Sequence, residues 1–142
     1  MVEIPDEVAD LFNDYESMKF LGTVDENGIP NTVFIQSLTC PPMADDDILA
    51  FADLWIEKTR HNLETSRQVA ATVFKPPVKS YQCKGEFLGY ETSGPINDFY
   101  NEFVEEMKYN TYMNVDRIGK IRVDEIFLAQ PPVPGEKVLP KD

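Results

Sequence analysis

Residues 47–74 read DILAFADLWIEKTRHNLETSRQVAATVF. Two short apolar runs, Ile48–Ala52 and Val69–Phe74, bracket a polar segment, Glu57–Arg67. Apolar runs of this length, bounded by polar residues, suit strands. The segment between them gathers Lys58, Thr59, Arg60 and Asn62. The expected order is strand, anion-binding turn, short helix, strand.

A phosphate dianion needs several donors converging on it. Lysine supplies a point charge, arginine a planar fork and threonine a hydroxyl. Backbone N–H groups at a helix start add donors without adding charge. After Ile56, Leu63 is the only large apolar residue of the segment. Burial therefore does little for this helix, which leaves room for a binding role. K-T-R is not a specific motif, however, and a polar surface helix that its charges merely solvate accounts for the same residues. His61 reads as a surface residue on either account.

Composition narrows the classes. The chain has 142 residues, of which 42% are hydrophobic, enough for one domain with one sizeable core. The net charge of −12 repels nucleic-acid phosphates and anionic lipid, so neither is an expected partner. It also means that a bound phosphate must be held by local donors against the global field. No apolar run approaches the roughly 20 residues of a membrane span. The acidic start, MVEIPDEVADLF, lacks a basic-then-apolar leader pattern, so a cytoplasmic location is expected. Cys40 and Cys83 lack C-x-x-C spacing and read as buried or half-buried thiols. A single histidine cannot build a multi-histidine metal site. Asp45, Asp46 and Asp47 read as a solvated turn, because no further ligands are spaced to complete a cation site.

Outward from the central stretch, Ile4, Val8, Leu11, Phe12 and Tyr15 recur at helical spacing from Pro5 to about Glu16. Met18–Asp25 reads as a strand, Glu26-Asn27-Gly28 as a turn, and Asn31–Thr39 as the returning strand of a hairpin. Alternation over that returning strand puts Val33, Ile35 and Ser37 on one face and Phe34, Gln36 and Leu38 on the other. Gln36 is then either a plain exposed glutamine or an amide aimed at a ligand. Lys79–Glu91 resumes strand character, with Gly85 and Gly89 as bulges or points of close approach. Ile96, Phe99, Tyr100, Phe103, Val104 and Met107 form a helical stripe suited to core or dimer packing. Ile118–Leu128 alternates as the last strand, and an irregular tail follows over residues 129–142. The fold class expected is mainly β (α+β), a small barrel of about six antiparallel strands with peripheral helices.

The order FLGTVDENGIPNTVFIQSL, then DDDILAFADLWIEKTRHNLETSRQVAATVF, then YQCKGEF resembles the pyridoxamine 5′-phosphate oxidase-like family of FMN-binding split barrels. The matching pieces are a T-x-D-x-x-G-x-P-N hairpin, a FAD…K-T-x-x-N-L segment, V-A-x-x-x-F and K-G. The tail EIFLAQPPVPGEKV is similar to that family's closing strand. The ordered set covers roughly residues 15–138 and is more specific than any of its parts.

The resemblance implies one split-barrel domain over residues 1–142 that forms a homodimer and binds FMN near the subunit interface. On this resemblance Lys58 and Thr59 hold the phosphate, with Arg60 assisting and Asn62 orienting the loop. Phe51, Ala52 and Asp53 line the ribityl chain and ring, and Gln36 and Ser37 meet the pyrimidine edge of the isoalloxazine. The implied activity is that of an FMN-dependent oxidoreductase, with a reduced nicotinamide or a redox protein as electron donor. Three alternatives stand beside it: a non-catalytic flavin or electron-transfer protein, a binder of the deazaflavin F420, and a barrel without cofactor. The family's pyridoxamine phosphate oxidases bring a C-terminal Arg/His pair to substrate, and its haem-handling members use a C-terminal histidine. Here the only histidine is His61, which argues against both chemistries.

Overall fold

The computed structural model describes residues 1–54, 56–106 and 115–141. In chain order its elements are α1 (Asp6–Asn13), β1 (Met18–Val24), β2 (Pro30–Phe34), β3 (Ile48–Ala52), α2 (Glu57–Thr65), β4 (Gln68–Lys75), β5 (Lys79–Glu91), α3 (Pro95–Glu106), β6 (Ile118–Leu128) and β7 (Lys137–Leu139).

The strands form a single antiparallel sheet in the order β2-β1-β4-β5-β6-β3, with β7 paired to β6. One segment brings its two edges together. Beyond Phe34 the chain bends away, and Thr39 exchanges two 2.9 Å backbone hydrogen bonds with Ala50 of β3. The sheet thereby curls into a barrel.

Alternation sets which side chains fill the barrel. Lys19, Leu21 and Thr23 of β1 and Val69, Ala71 and Val73 of β4 point inward and are buried. β3 is buried at all five positions. Leu49 and Phe51 join the barrel core, whereas Ala50 and Ala52 face a second cluster with Ile96, Tyr100 and Ile118. A strand covered on both faces reads as a continuous apolar run, as this one does. Gly119, opposite Phe51, leaves space for its ring: a Cβ there would stand 2.2 Å from Phe51 Cζ.

α1 packs into the barrel core, and α3 covers the face of β3 turned away from that core. Val8, Leu11 and Phe12 of α1 enter the barrel cluster. Tyr100 of α3 donates its hydroxyl to Ala50 O at 2.6 Å and lies 2.6 Å from Thr39 Oγ1. The later members of the α3 stripe, Phe103, Val104 and Met107, lie outside the residues whose side chains are described.

Two expectations need correction. The second strand ends at Phe34 and not at Thr39. The chain must leave β1 there to reach β3 at the far edge, so Gln36 and Ser37 sit in a turn, where two-face alternation does not apply. The tail also carries the short strand β7, because Lys137–Leu139 finds open backbone groups along β6. Gly85 and Gly89 both fall at register shifts between β5 and β6. A Cβ on Gly85 would come within 1.9 Å of Arg122 O, and Gly89 has φ +123.

Candidate functional site

The site is built where α2 meets the β1–β2 hairpin. Each residue of the hairpin motif has a visible task. Asp25 Oδ1 accepts the N–H groups of Asn27 (2.8 Å) and Ile29 (2.9 Å), and Gly28 takes φ +80, so the turn is tight. Thr23 Oγ1 accepts the Asn62 amide at 3.0 Å. Asn31 donates its amide to Thr59 Oγ1 at 3.2 Å. Ser66 Oγ donates to Val24 O at 2.7 Å, and His61 Nε2 lies 3.0 Å from Glu26 Oε2. These contacts hold the hairpin and the helix as one unit.

The start of α2 is open. Its first intrahelical bond runs from Arg60 N–H to Ile56 O, at 2.7 Å. Ile56 occupies the N-cap, and no side chain among the described residues caps the helix. The N–H groups of Glu57, Lys58 and Thr59 therefore project from a helix end that carries a partial positive charge. Lys58 is exposed beside them.

This helix start borders a groove of about 420 Å³ whose lining includes Asp25, Glu26, Asn31, Glu57, Lys58 and His61. A shallow trough of about 400 Å³ adjoins it, crossing β1, β2, β4, β5 and β6, with Lys84, Asp124 and Glu125 among its lining. Pro30 and Asn31 line both, and the trough also includes the small residues Gly22 and Ala70. On the outer face of β1 and β2, Phe20 and Phe34 pack edge to face at 5.7 Å, and Phe34 is 55% exposed.

The remaining expected site residues are placed as follows. Arg60 is not free beside Lys58: its Nη2 donates to Asp53 Oδ1 at 2.8 Å, and its Nε lies 3.2 Å from both carboxylate oxygens. Arg117 Nε donates to the other oxygen of the same carboxylate, and its guanidinium lies 3.9 Å from the centroid of the Tyr90 ring. The bond to Asp53 raises the Arg60 pKa further, and burial pushes the Tyr90 hydroxyl up to about 12. Asp53 is thus a buried knot between β3, α2 and the start of β6. Thr59 is 1% exposed and Asn62 5%, so both face the hairpin. Phe51 and Ala52 lie in the interior. Gln36 donates its amide to Tyr15 O (2.9 Å) and Ser17 O (2.8 Å), and Ser37 Oγ accepts the Ala52 N–H at 2.9 Å.

Thr23 and Asn31 are the contacts that sequence reasoning missed, although both stand in the T-x-D-x-x-G-x-P-N motif and could have been found there. Arg117 and Tyr90 carry no comparable signal, since only the barrel brings them to Asp53.

No family model and no curated protein matches the sequence. Solved structures do match. HupZ of Group A Streptococcus is similar over 95% of this chain and 98% of its own, with 21% identity and a TM-score of 0.75. A pyridoxamine 5′-phosphate oxidase candidate from Lactobacillus delbrueckii matches over 88% of this chain and 93% of its own, with 17% identity and a TM-score of 0.66. An FMN-binding protein of Syntrophomonas wolfei matches over 88% of this chain and 84% of its own, with 18% identity and a TM-score of 0.66. At such identities the likeness is one of fold. The chain has the fold of the pyridoxamine 5′-phosphate oxidase-like split barrels.

Proposed function

We propose that the chain is an FMN-dependent oxidoreductase. The observation that carries this reading is the uncapped start of α2, with the Lys58 ammonium beside it, opening on a groove that continues into a trough. An ammonium and helix N-terminal N–H groups are donors suited to a phosphate monoester, and here they must act beside Asp25, Glu26 and Glu57 of the same groove.

In this reading Lys58 and the N–H groups of Glu57, Lys58 and Thr59 bind the phosphate. Thr59 and Asn62 act from behind, holding the helix start in place through Asn31 and Thr23. Arg60 contributes positive potential while anchored to Asp53. Gln36, Ser37, Phe51 and Ala52 line neither the groove nor the trough, and no contact with the phosphate is assigned to them. The trough, lined by Gly22 and Ala70 together with Lys84, Asp124 and Glu125, would hold the ring system. A second copy of the chain packed on the Phe20–Phe34 face would cover that trough, so the proposed working form is a homodimer. Bound flavin supplies the electron transfer, and the protein supplies binding, orientation and exclusion of water.

The test is to denature the purified protein and identify the released small molecule by mass spectrometry and absorbance. FMN is the expected product. A protein that releases no flavin, and binds none on titration, overturns the proposal.

A further inference from the structure

We propose that the protein binds one ordered internal water where the start of β1 meets the crossover after β2, held by Lys19 Nζ, Gln36 Oε1 and Ser17 Oγ. Ser17 and Lys19 are two residues apart, so both side chains turn to the inward face of the strand, and they are 1% and 2% exposed. Gln36 meets both. Its backbone carbonyl accepts the Lys19 ammonium at 3.4 Å, and its side-chain amide donates to Ser17 O at 2.8 Å and Tyr15 O at 2.9 Å. The three groups are thereby gathered in one closed place.

Each of them is short of partners. Ser17 Oγ and Gln36 Oε1 are buried and have no hydrogen-bond partner among the described residues. The Lys19 ammonium has three N–H donors, and its contact with Gln36 O is long and occupies a single one. An ammonium only donates and an amide oxygen only accepts, so Lys19 Nζ and Gln36 Oε1 are complementary, yet no direct bond joins them. The amide does not turn to close the gap. Its Nε2 is committed to two carbonyls, which fixes the direction of Oε1. A separation of that kind between buried polar groups is where a bridging water belongs.

The donor set also selects the ligand. The ammonium repels a metal cation, and the amide oxygen opposes an anion. A water accepts from Lys19, donates to Gln36 Oε1 and completes its bonding on Ser17 Oγ, whose hydroxyl serves in either role. Three such bonds are typical of a buried water. The crossover it would secure is the segment that closes the barrel, through Thr39 on Ala50 and through Ser37 Oγ on the Ala52 N–H. The inference is independent of the flavin reading.

The experiment is a high-resolution crystal structure of the wild-type chain, joined by oxygen-17 magnetic relaxation dispersion on wild type and Ser17→Val. A water within hydrogen-bond distance of all three atoms is the expected result. Ser17→Val puts methyl groups where the hydroxyl stood and should remove one long-lived water from the dispersion signal. A direct Lys19 Nζ–Gln36 Oε1 bond, or no density between the three atoms, overturns the inference. So does a dispersion signal that is the same in both proteins. Should the variant fail to fold, the wild-type crystal decides by itself.

Discussion

Asn62 of α2 donates its side-chain amide to Thr23 of β1 across 3.0 Å, and both residues are only 5% exposed. The two are 39 positions apart in the chain. This bond, with its neighbour Asn31–Thr59, sets where the start of α2 stands relative to the hairpin, and therefore where Lys58 and the open N–H groups point.

Replacing Asn62 with alanine strands the buried Thr23 hydroxyl. The expected cost is about 1–3 kcal/mol of stability, measured as a shift in urea midpoint. In a double-mutant cycle with Thr23→Val the two effects should couple strongly. Simple additivity of the two substitutions would show that the pair contributes nothing as a pair.

Lys58→Ala removes an exposed charge that no intramolecular contact described above needs, so the urea midpoint of the flavin-free chain should hardly move. FMN affinity, read by flavin fluorescence, should fall by about 2–3 kcal/mol through loss of a charge-assisted contact. Retention of full affinity would rule out the phosphate position assigned here.

Asp53→Asn leaves two guanidiniums facing a neutral amide. The Asp53 side chain is 3% exposed, whereas those of Arg60 and Arg117 are 32% and 34% exposed. Water can reach both arginines, so the expected loss is about 2 kcal/mol and less than for a fully buried pair. A thermal melt that does not move would mean the knot is not a stabilising element.

Lys19 offers a pH test. It points into the barrel, is 2% exposed, and among the described residues its amine donates to Gln36 O, at 3.4 Å. Burial lowers its pKa to about 8, partly opposed by Asp14. Between about pH 8 and 10.5 the unfolded chain binds a proton that the folded chain does not, so stability from this group rises with pH across that window. Below it the burial penalty is fully present, on the order of 3 kcal/mol. Lys19→Met should therefore be more stable than wild type at pH 7 by about 1–3 kcal/mol. The advantage should fade as pH approaches 10. A difference between the two proteins that stays constant from pH 7 to 10 would contradict the assigned shift.

Much of the barrel was legible along the chain. Ile48–Ala52, Lys79–Glu91 and Ile118–Leu128 are strands with the bounds that alternation and apolar runs indicate. Each is long enough, or apolar enough, for side-chain periodicity to overcome local alternatives. The end of β2 was not legible. Val33 to Leu38 alternates well enough to continue a strand, but hydrogen bonds to β1 stop where the chain crosses to β3, and alternation carries no information about a partner strand. For the same reason Gln36 read equally as solvent-exposed or ligand-facing, and it proved to bind the carbonyls of Tyr15 and Ser17.

At the site, residue order alone determined that Lys58, Thr59, Arg60 and Asn62 share the first turns of a short helix between two strands, because helix and strand periods act over a few residues. Tertiary structure decided what each side chain does there. A helix has several faces, and only the packed hairpin and barrel select among them. They turn Thr59 and Asn62 toward Asn31 and Thr23, bind Arg60 to a carboxylate that Arg117 shares, and leave Lys58 facing the groove. Long-range contacts of that kind depend on how the chain closes on itself, which no local pattern encodes.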